Sequence, residues 1–144
     1  MPFANPTLRL TNAQHLAIVS HCLDGYPDEA CGLLGGPTNE RGEPTGAITT
    51  VFPCRNADAS ARTYTVDSRD MGKAMGAARR DGGELVSVWH SHTHTDAYPS
   101  DTDVRKAAEP DWLYVIVSLK HAEPVTRAYR ISDGEIAEVD VVVT

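Results

Sequence analysis

Three of the six histidines fall within five residues, at His90, His92 and His94. Alternate side chains of an extended chain point to the same side, so a His-x-His pair delivers two imidazoles to one metal ion. Ser100 and Asp103 follow, giving His-Ser-His-x7-Ser-x2-Asp. Two neutral imidazoles and one carboxylate leave the fourth corner of a tetrahedral Zn²⁺ open to water, which is the ligand set of a catalytic site. In such a setting the pKa of the bound water falls from about 15.7 to roughly 7. His94 extends the alternation to His-x-His-x-His and competes with Asp103 for the third ligand position; its other reading is a loop histidine at the rim of the cleft. Hydrolysis also needs a group that carries protons. Glu29, set against an apolar stretch where a solvated glutamate is out of place, is the candidate general base.

These residues need elements to hold them. Thr7 to Leu10 alternates like a short strand, and Thr11-Asn12-Ala13-Gln14 has the form of a capping box. Ala13, Leu16, Ala17, Ser20 and Leu23 then share one helical face, which predicts the buried side of a first helix stopped by Gly25. Glu29 to Leu34 reads as a strand with Glu29, Cys31 and Leu33 on one face, and Cys31 as a small buried apolar residue. Gly35 to Gly46 reads as a loop, Ala47 to Phe52 and Thr63 to Val66 as strands, and Asn56 to Ala61 as the turn between them. A second helix is predicted from a Ser68 cap, with Met71, Ala74, Met75 and Ala78 buried and Asp81-Gly82-Gly83 as its stop. Glu84 to His90 is a compact apolar strand that leads into the histidine cluster. Ser100 is a plausible N-cap, with Asp101 and Asp103 in the first turn where the helix dipole favours anions. Trp112 to Leu119 has the continuous apolarity of a central strand, and Asp133-Gly134 marks a hairpin between Val125–Ile131 and Glu135–Val143. Strands punctuated by two or three helices make an α/β layered domain with a mixed sheet.

Composition bounds the partners. Thirteen Lys and Arg against 20 Asp and Glu leave a net charge of −7, which argues against nucleic acid as the main partner because phosphate binding needs clustered cations. The longest apolar run, Trp112 to Val117, is six residues, which predicts no membrane span, and the first ten residues lack the pattern of a secretory leader. Cys22, Cys31 and Cys54 are an odd number without a Cys-x-x-Cys pair, which predicts a reducing, cytoplasmic setting and no disulfide framework. The length fits one domain over residues 1–144.

The same residues carry a family resemblance. His90-Ser91-His92, Ser100 and Asp103, with Pro27-Asp28-Glu29-Ala30-Cys31-Gly32-Leu33-Leu34 upstream, resemble the JAMM (MPN+) metalloprotease signature. Asn56, Tyr64 and Asp67 resemble the weaker segment between the two motifs. The stretch ending Ala97-Tyr98-Pro99-Ser100-Asp101-Thr102-Asp103 is most similar to bacterial members that release cysteine from a ubiquitin-like sulfur-carrier protein. The resemblance implies Zn²⁺ on His90, His92 and Asp103, Glu29 as proton carrier, and Ser100 as hydrogen-bond donor to the developing oxyanion. It also implies the substrate, a carrier ending in Gly-Gly whose terminal amide is hydrolysed. A broader deconjugase acting on protein targets and a non-catalytic scaffold of the same fold are the alternatives. The implied fold is the three-layer α/β JAMM/MPN domain, cytidine-deaminase-like, with a curved mixed β-sheet flanked by helices. The sequence argues against deamination itself, because Pro53-Cys54-Arg55-Asn56 stops after one cysteine where the deaminase zinc site pairs two.

Overall fold

The computed structural model describes residues 5–144; part of the leader reading falls on residues 1–4, outside the described residues. In chain order the elements are β1 (Leu8–Leu10), α1 (Asn12–Gly25), β2 (Cys31–Gly36), β3 (Thr50–Cys54), α2 (Ser68–Arg80), β4 (Glu84–His92), α3 (Asp101–Lys106), β5 (Leu113–Ser118), β6 (Val125–Ser132), β7 (Glu135–Val139) and β8 (Val141–Val143). Six strands form one mixed sheet in the order β3-β2-β4-β5-β6-β7, and β1 pairs in parallel with β8 apart from it. Within the large sheet β4 and β5 run parallel and every other neighbouring pair is antiparallel. A parallel pair needs a crossover, and here the crossover carries residues 93–112 with α3 inside it. The α/β layering and mixed sheet expected from the sequence are therefore present.

Two apolar clusters separate the layers. Leu8, Leu10, Ile18, Trp89, Val115 and Val117 belong to the cluster beneath α1 and the β1–β8 pair. Leu33, Ala74, Ala78, Val88, Ile116 and Ile131 form the other, beneath α2. At Leu34 and Gly35 the β2–β4 register shifts, leaving Val86 as an extra residue on β4. Such a bulge re-phases the side chains beyond it. Leu85 and Val88, three apart, consequently face the α2 layer together, and Trp89 faces the α1 layer. Beyond the bulge, the regular alternation through His90 and His92 continues the Val88 phase. Trp89 also locks β4 to β2: a Cβ on Gly32 would lie 2.1 Å from its ring, and its indole N–H donates to the Leu33 carbonyl at 3.2 Å.

The structure corrects several local expectations. The capping box of α1 is present, with Thr11 and Gln14 bonded reciprocally. The face assigned to the core is the solvent face, however, with Leu16 65% and Leu23 53% exposed. The buried side instead carries Ile18 and Cys22, flanked by Gln14, His15 and His21. Those polar residues tolerate burial because each finds a partner: Gln14 donates to the Ile48 carbonyl, His15 meets the Thr126 hydroxyl, and His21 meets the Cys54 carbonyl. Gly25 does end α1, and a Cβ there would sit 3.1 Å from that of Ala30, a tight contact where the chain returns on itself. The cap of α2 is Asp67 rather than Ser68, its carboxylate accepting the Asp70 N–H at 3.1 Å. The segment 63–66 makes one bridge, Asn56 to Val66, instead of a strand. The last predicted strand splits at Asp140, because β8 leaves the sheet to pair with β1. Among the described residues no helix is long and apolar enough to cross a membrane, and Cys22, Cys31 and Cys54 are free and buried.

Candidate metal centre

The carboxyl end of β4 and the first turn of α3 meet at one point. Ser100 caps α3 by accepting the Asp103 N–H at 3.0 Å, and the Asp103 carboxylate reaches back to the Ser100 N–H at 3.0 Å. The same oxygen, Oδ2, lies 3.2 Å from His90 Nε2 and 3.0 Å from His92 Nε2. The structure thus brings together His90, His92 and Asp103, with a ligand atom from each within 4.8 Å of the others.

The donor chemistry fits a divalent cation. His92 Nδ1 lies 2.8 Å from the Asp96 carbonyl, an acceptor, so Nδ1 carries a proton. The neutral ring then offers the Nε2 lone pair toward Asp103, the outer-sphere arrangement that orients ligating histidines. A carboxylate oxygen facing two imidazole nitrogens needs either protons or a cation between them. Donors about 2.0–2.2 Å from a tetrahedral ion are about 3.3 Å apart, close to the observed separations. His90 is held from its open side by the Tyr64 ring, stacked at 4.1 Å between centroids.

Electrostatics divides these groups. Burial would raise the Asp103 carboxyl, but hydrogen bonding with His90, His92 and the Ser100 N–H holds it well below the usual carboxylate range. Burial lowers His90, outweighing the pull of Asp103. For His92 burial also lowers the pKa, but Asp103, the Asp96 carbonyl and Glu29 together raise it. Glu29 is 6% exposed. Burial pushes its carboxyl up to about 7, with His92 and Lys106 opposing and Asp103 and Asp58 adding to the rise.

Glu29 precedes β2 rather than lying in it, and side chains remote in sequence fix its position. Ser91, the middle residue of the His-Ser-His run, accepts the Ala30 N–H at 2.9 Å and donates its own N–H to the Ala30 carbonyl at 3.0 Å. The Asn56 amide donates to the Glu29 and Thr63 carbonyls and accepts from the Asp58 and Thr65 N–H groups, each at 3.0 Å. The Glu29 N–H donates to the Ser60 carbonyl at 2.8 Å. Glu29, His92 and Ser100 then line a common cleft of about 540 Å³, with Ala61, Arg62, Thr93, His94 and Thr95. His94 is outside the His90–His92–Asp103 group: its Nδ1 lies 2.8 Å from the Thr93 hydroxyl and its ring rests near Tyr26. Sequence reasoning missed the Asp96 carbonyl and Arg62. Backbone acceptors leave no mark in residue type, and an arginine in a polar loop is ordinary.

The mixed sheet thus brings two imidazoles from the end of β4 together with an aspartate from α3, beside a buried glutamate. The chain belongs to the family described as prokaryotic homologs of the JAB domain, whose model matches residues 11–132. It is 42% identical over 128 residues to the CysO-cysteine peptidase of Mycobacterium tuberculosis, covering 87% of this chain and 83% of that protein. It is 32% identical over 107 residues to the desampylase of Haloferax volcanii, covering 71% and 73%. Among solved structures, protein DSY2949 of Desulfitobacterium hafniense superposes with a TM-score of 0.84 at 30% identity, over 96% of this chain and 93% of that one.

Proposed function

We propose that this chain is a Zn²⁺-dependent peptidase that hydrolyses the amide bond after the C-terminal Gly-Gly of a ubiquitin-like sulfur-carrier protein and releases cysteine. The carrying observation is a buried Glu29 on the same cleft as His92 and Ser100, in a chain 42% identical to a CysO-cysteine peptidase. In this reading residues 1–144 act as a single domain, and His90, His92 and Asp103 hold the cation. Zn²⁺ bound there supplies Lewis acidity toward the scissile carbonyl and toward the attacking water. Glu29 accepts the proton of that water and delivers it to the leaving amine nitrogen. Burial raises the Glu29 carboxyl and so makes it a stronger proton acceptor. Ser100 accepts the Asp103 N–H through its oxygen, so its own O–H proton remains available to the developing oxyanion. Gly-Gly suits the approach because a tail without side chains lies extended and spends its main-chain groups on hydrogen bonds. A cytoplasmic setting agrees with three free, buried cysteines.

The similarity to a desampylase favours a second reading, removal of a ubiquitin-like protein from protein targets. The purified protein, loaded with Zn²⁺, would be incubated with carrier–cysteine adduct and separately with a carrier joined through Gly-Gly to a lysine side chain. Loss of the mass of one cysteine residue from the carrier is the expected result. Cleavage of the lysine conjugate alone would replace the first reading with the second, and no Zn²⁺ uptake and no cleavage of either would leave a scaffold.

A further inference from the structure

The bond proposed for cleavage is the last one in the substrate, so the leaving cysteine carries a free α-carboxylate. Its carboxyl carbon lies about 2.5 Å from the leaving nitrogen, by ordinary N–Cα–C dimensions. Glu29 must hand that nitrogen a proton, so the carboxylate enters the cleft beside Glu29, where a cationic fork of N–H donors would hold it. Of the residues that line the cleft, Arg62 is the one Arg or Lys. Lys106, the other cation that acts on Glu29, is engaged by Asp58 at 3.9 Å and the Tyr64 carbonyl at 3.4 Å. Among the described residues the Arg62 guanidinium has no hydrogen-bond or ion-pair partner.

The backbone beneath Arg62 is fixed. The Ser60 carbonyl accepts the Glu29 N–H, the Ala61 carbonyl accepts the Thr93 hydroxyl at 3.3 Å, and the Ser60 hydroxyl accepts the N–H groups of Arg62 and Thr63. The loop is therefore tied to the proton carrier on one side and to the strand end bearing the histidines on the other, and its Arg62 lines the cleft. A planar fork of N–H donors matches a carboxylate in two parallel hydrogen bonds. Resting on the reading under Proposed function, we infer that Arg62 binds the α-carboxylate of the leaving amino acid and makes the enzyme selective for a terminal residue over a lysine-linked target.

The test measures kcat and KM for wild type, Arg62→Gln and Arg62→Lys on two carrier–cysteine adducts, one ending in the free acid and one in the carboxamide. Loss of one charge-assisted pair predicts a KM for the acid raised roughly 10- to 100-fold in Arg62→Gln, with kcat within a few-fold. Arg62→Lys should recover part of that loss, because it keeps the charge and loses the fork. On the carboxamide, wild type should be as poor as Arg62→Gln. Equal KM for acid in wild type and Arg62→Gln would overturn the assignment while leaving cysteine release intact. Failure of wild type on both adducts, with cleavage of a lysine conjugate, would overturn the reading beneath it and this inference together.

Discussion

At the scale of single residues the chain separates two carboxyl groups that stand close together. Asp103 is held ionised by His90, His92 and the Ser100 N–H, and Glu29 is pushed toward its neutral form by burial. Opposite shifts in neighbouring acids assign one to cation binding and the other to proton transfer. Glu29→Gln should therefore keep stoichiometric Zn²⁺ and lose roughly 10²- to 10⁴-fold in kcat, measured by elemental analysis and turnover on the same preparation. Near wild-type turnover would remove Glu29 from the mechanism. The same shift has a consequence for stability. Between its ordinary value of 4.5 and about 7, native Glu29 keeps a proton that the unfolded chain releases, so this group costs stability as pH rises through that window. Asp103 works in the other direction, losing its stabilisation as pH falls below the ordinary carboxylate value, and it is common to both proteins. In metal-free protein, Glu29→Gln should accordingly gain on the order of 2–3 kcal/mol over wild type between about pH 5 and about pH 8, read by urea unfolding. A constant difference across that range would contradict the assigned burial effect.

At the scale of elements, legibility followed how a residue satisfies itself. The site motif was readable because extended geometry and ligand chemistry are both local: His90 and His92 lie two apart on β4, and Ser100 and Asp103 close a capping box within one turn. Strands with continuous apolarity such as β5 and the turn at Asp133 were readable for the same reason. The buried face of α1 was not. Its core side includes Gln14, His15 and His21, whose polar letters conceal hydrogen bonds to Ile48, Thr126 and Cys54, residues 34, 111 and 33 positions away. Periodicity weighs side-chain type and has no access to such partners. The correction is measurable. Ile18→Ala should cost about 2–5 kcal/mol in urea unfolding by emptying fully buried volume. Leu16→Glu, on the opposite face, should stay within about 0.5 kcal/mol, since glutamate and leucine have similar helix propensity. Comparable losses at both positions would restore the face expected from the sequence.

At the scale of the whole molecule the centre joins parts that the chain keeps apart. Glu29 precedes β2, the histidines end β4, and Asp103 begins α3 on the crossover to β5. A cation held by His90, His92 and Asp103 would tie that crossover to the central strand, so its binding free energy is gained only by the folded chain. At a hundredfold excess over its dissociation constant such a ligand adds about 2.7 kcal/mol. For a domain of this size each kcal/mol moves Tm by about 2–4 °C, so Zn²⁺ should raise the Tm of chelator-treated protein by about 5–11 °C. Asp103→Ala should abolish most of that rise, whereas His94→Ala should preserve it, because His94 is engaged with Thr93 and Tyr26 away from the other donors. The comparison uses the rise within each variant rather than absolute Tm, since Asp103→Ala also removes half of the α3 capping box. A rise that survives in Asp103→Ala and disappears in His94→Ala would make His94 the third ligand and move the cation away from the carboxyl end of the capping turn.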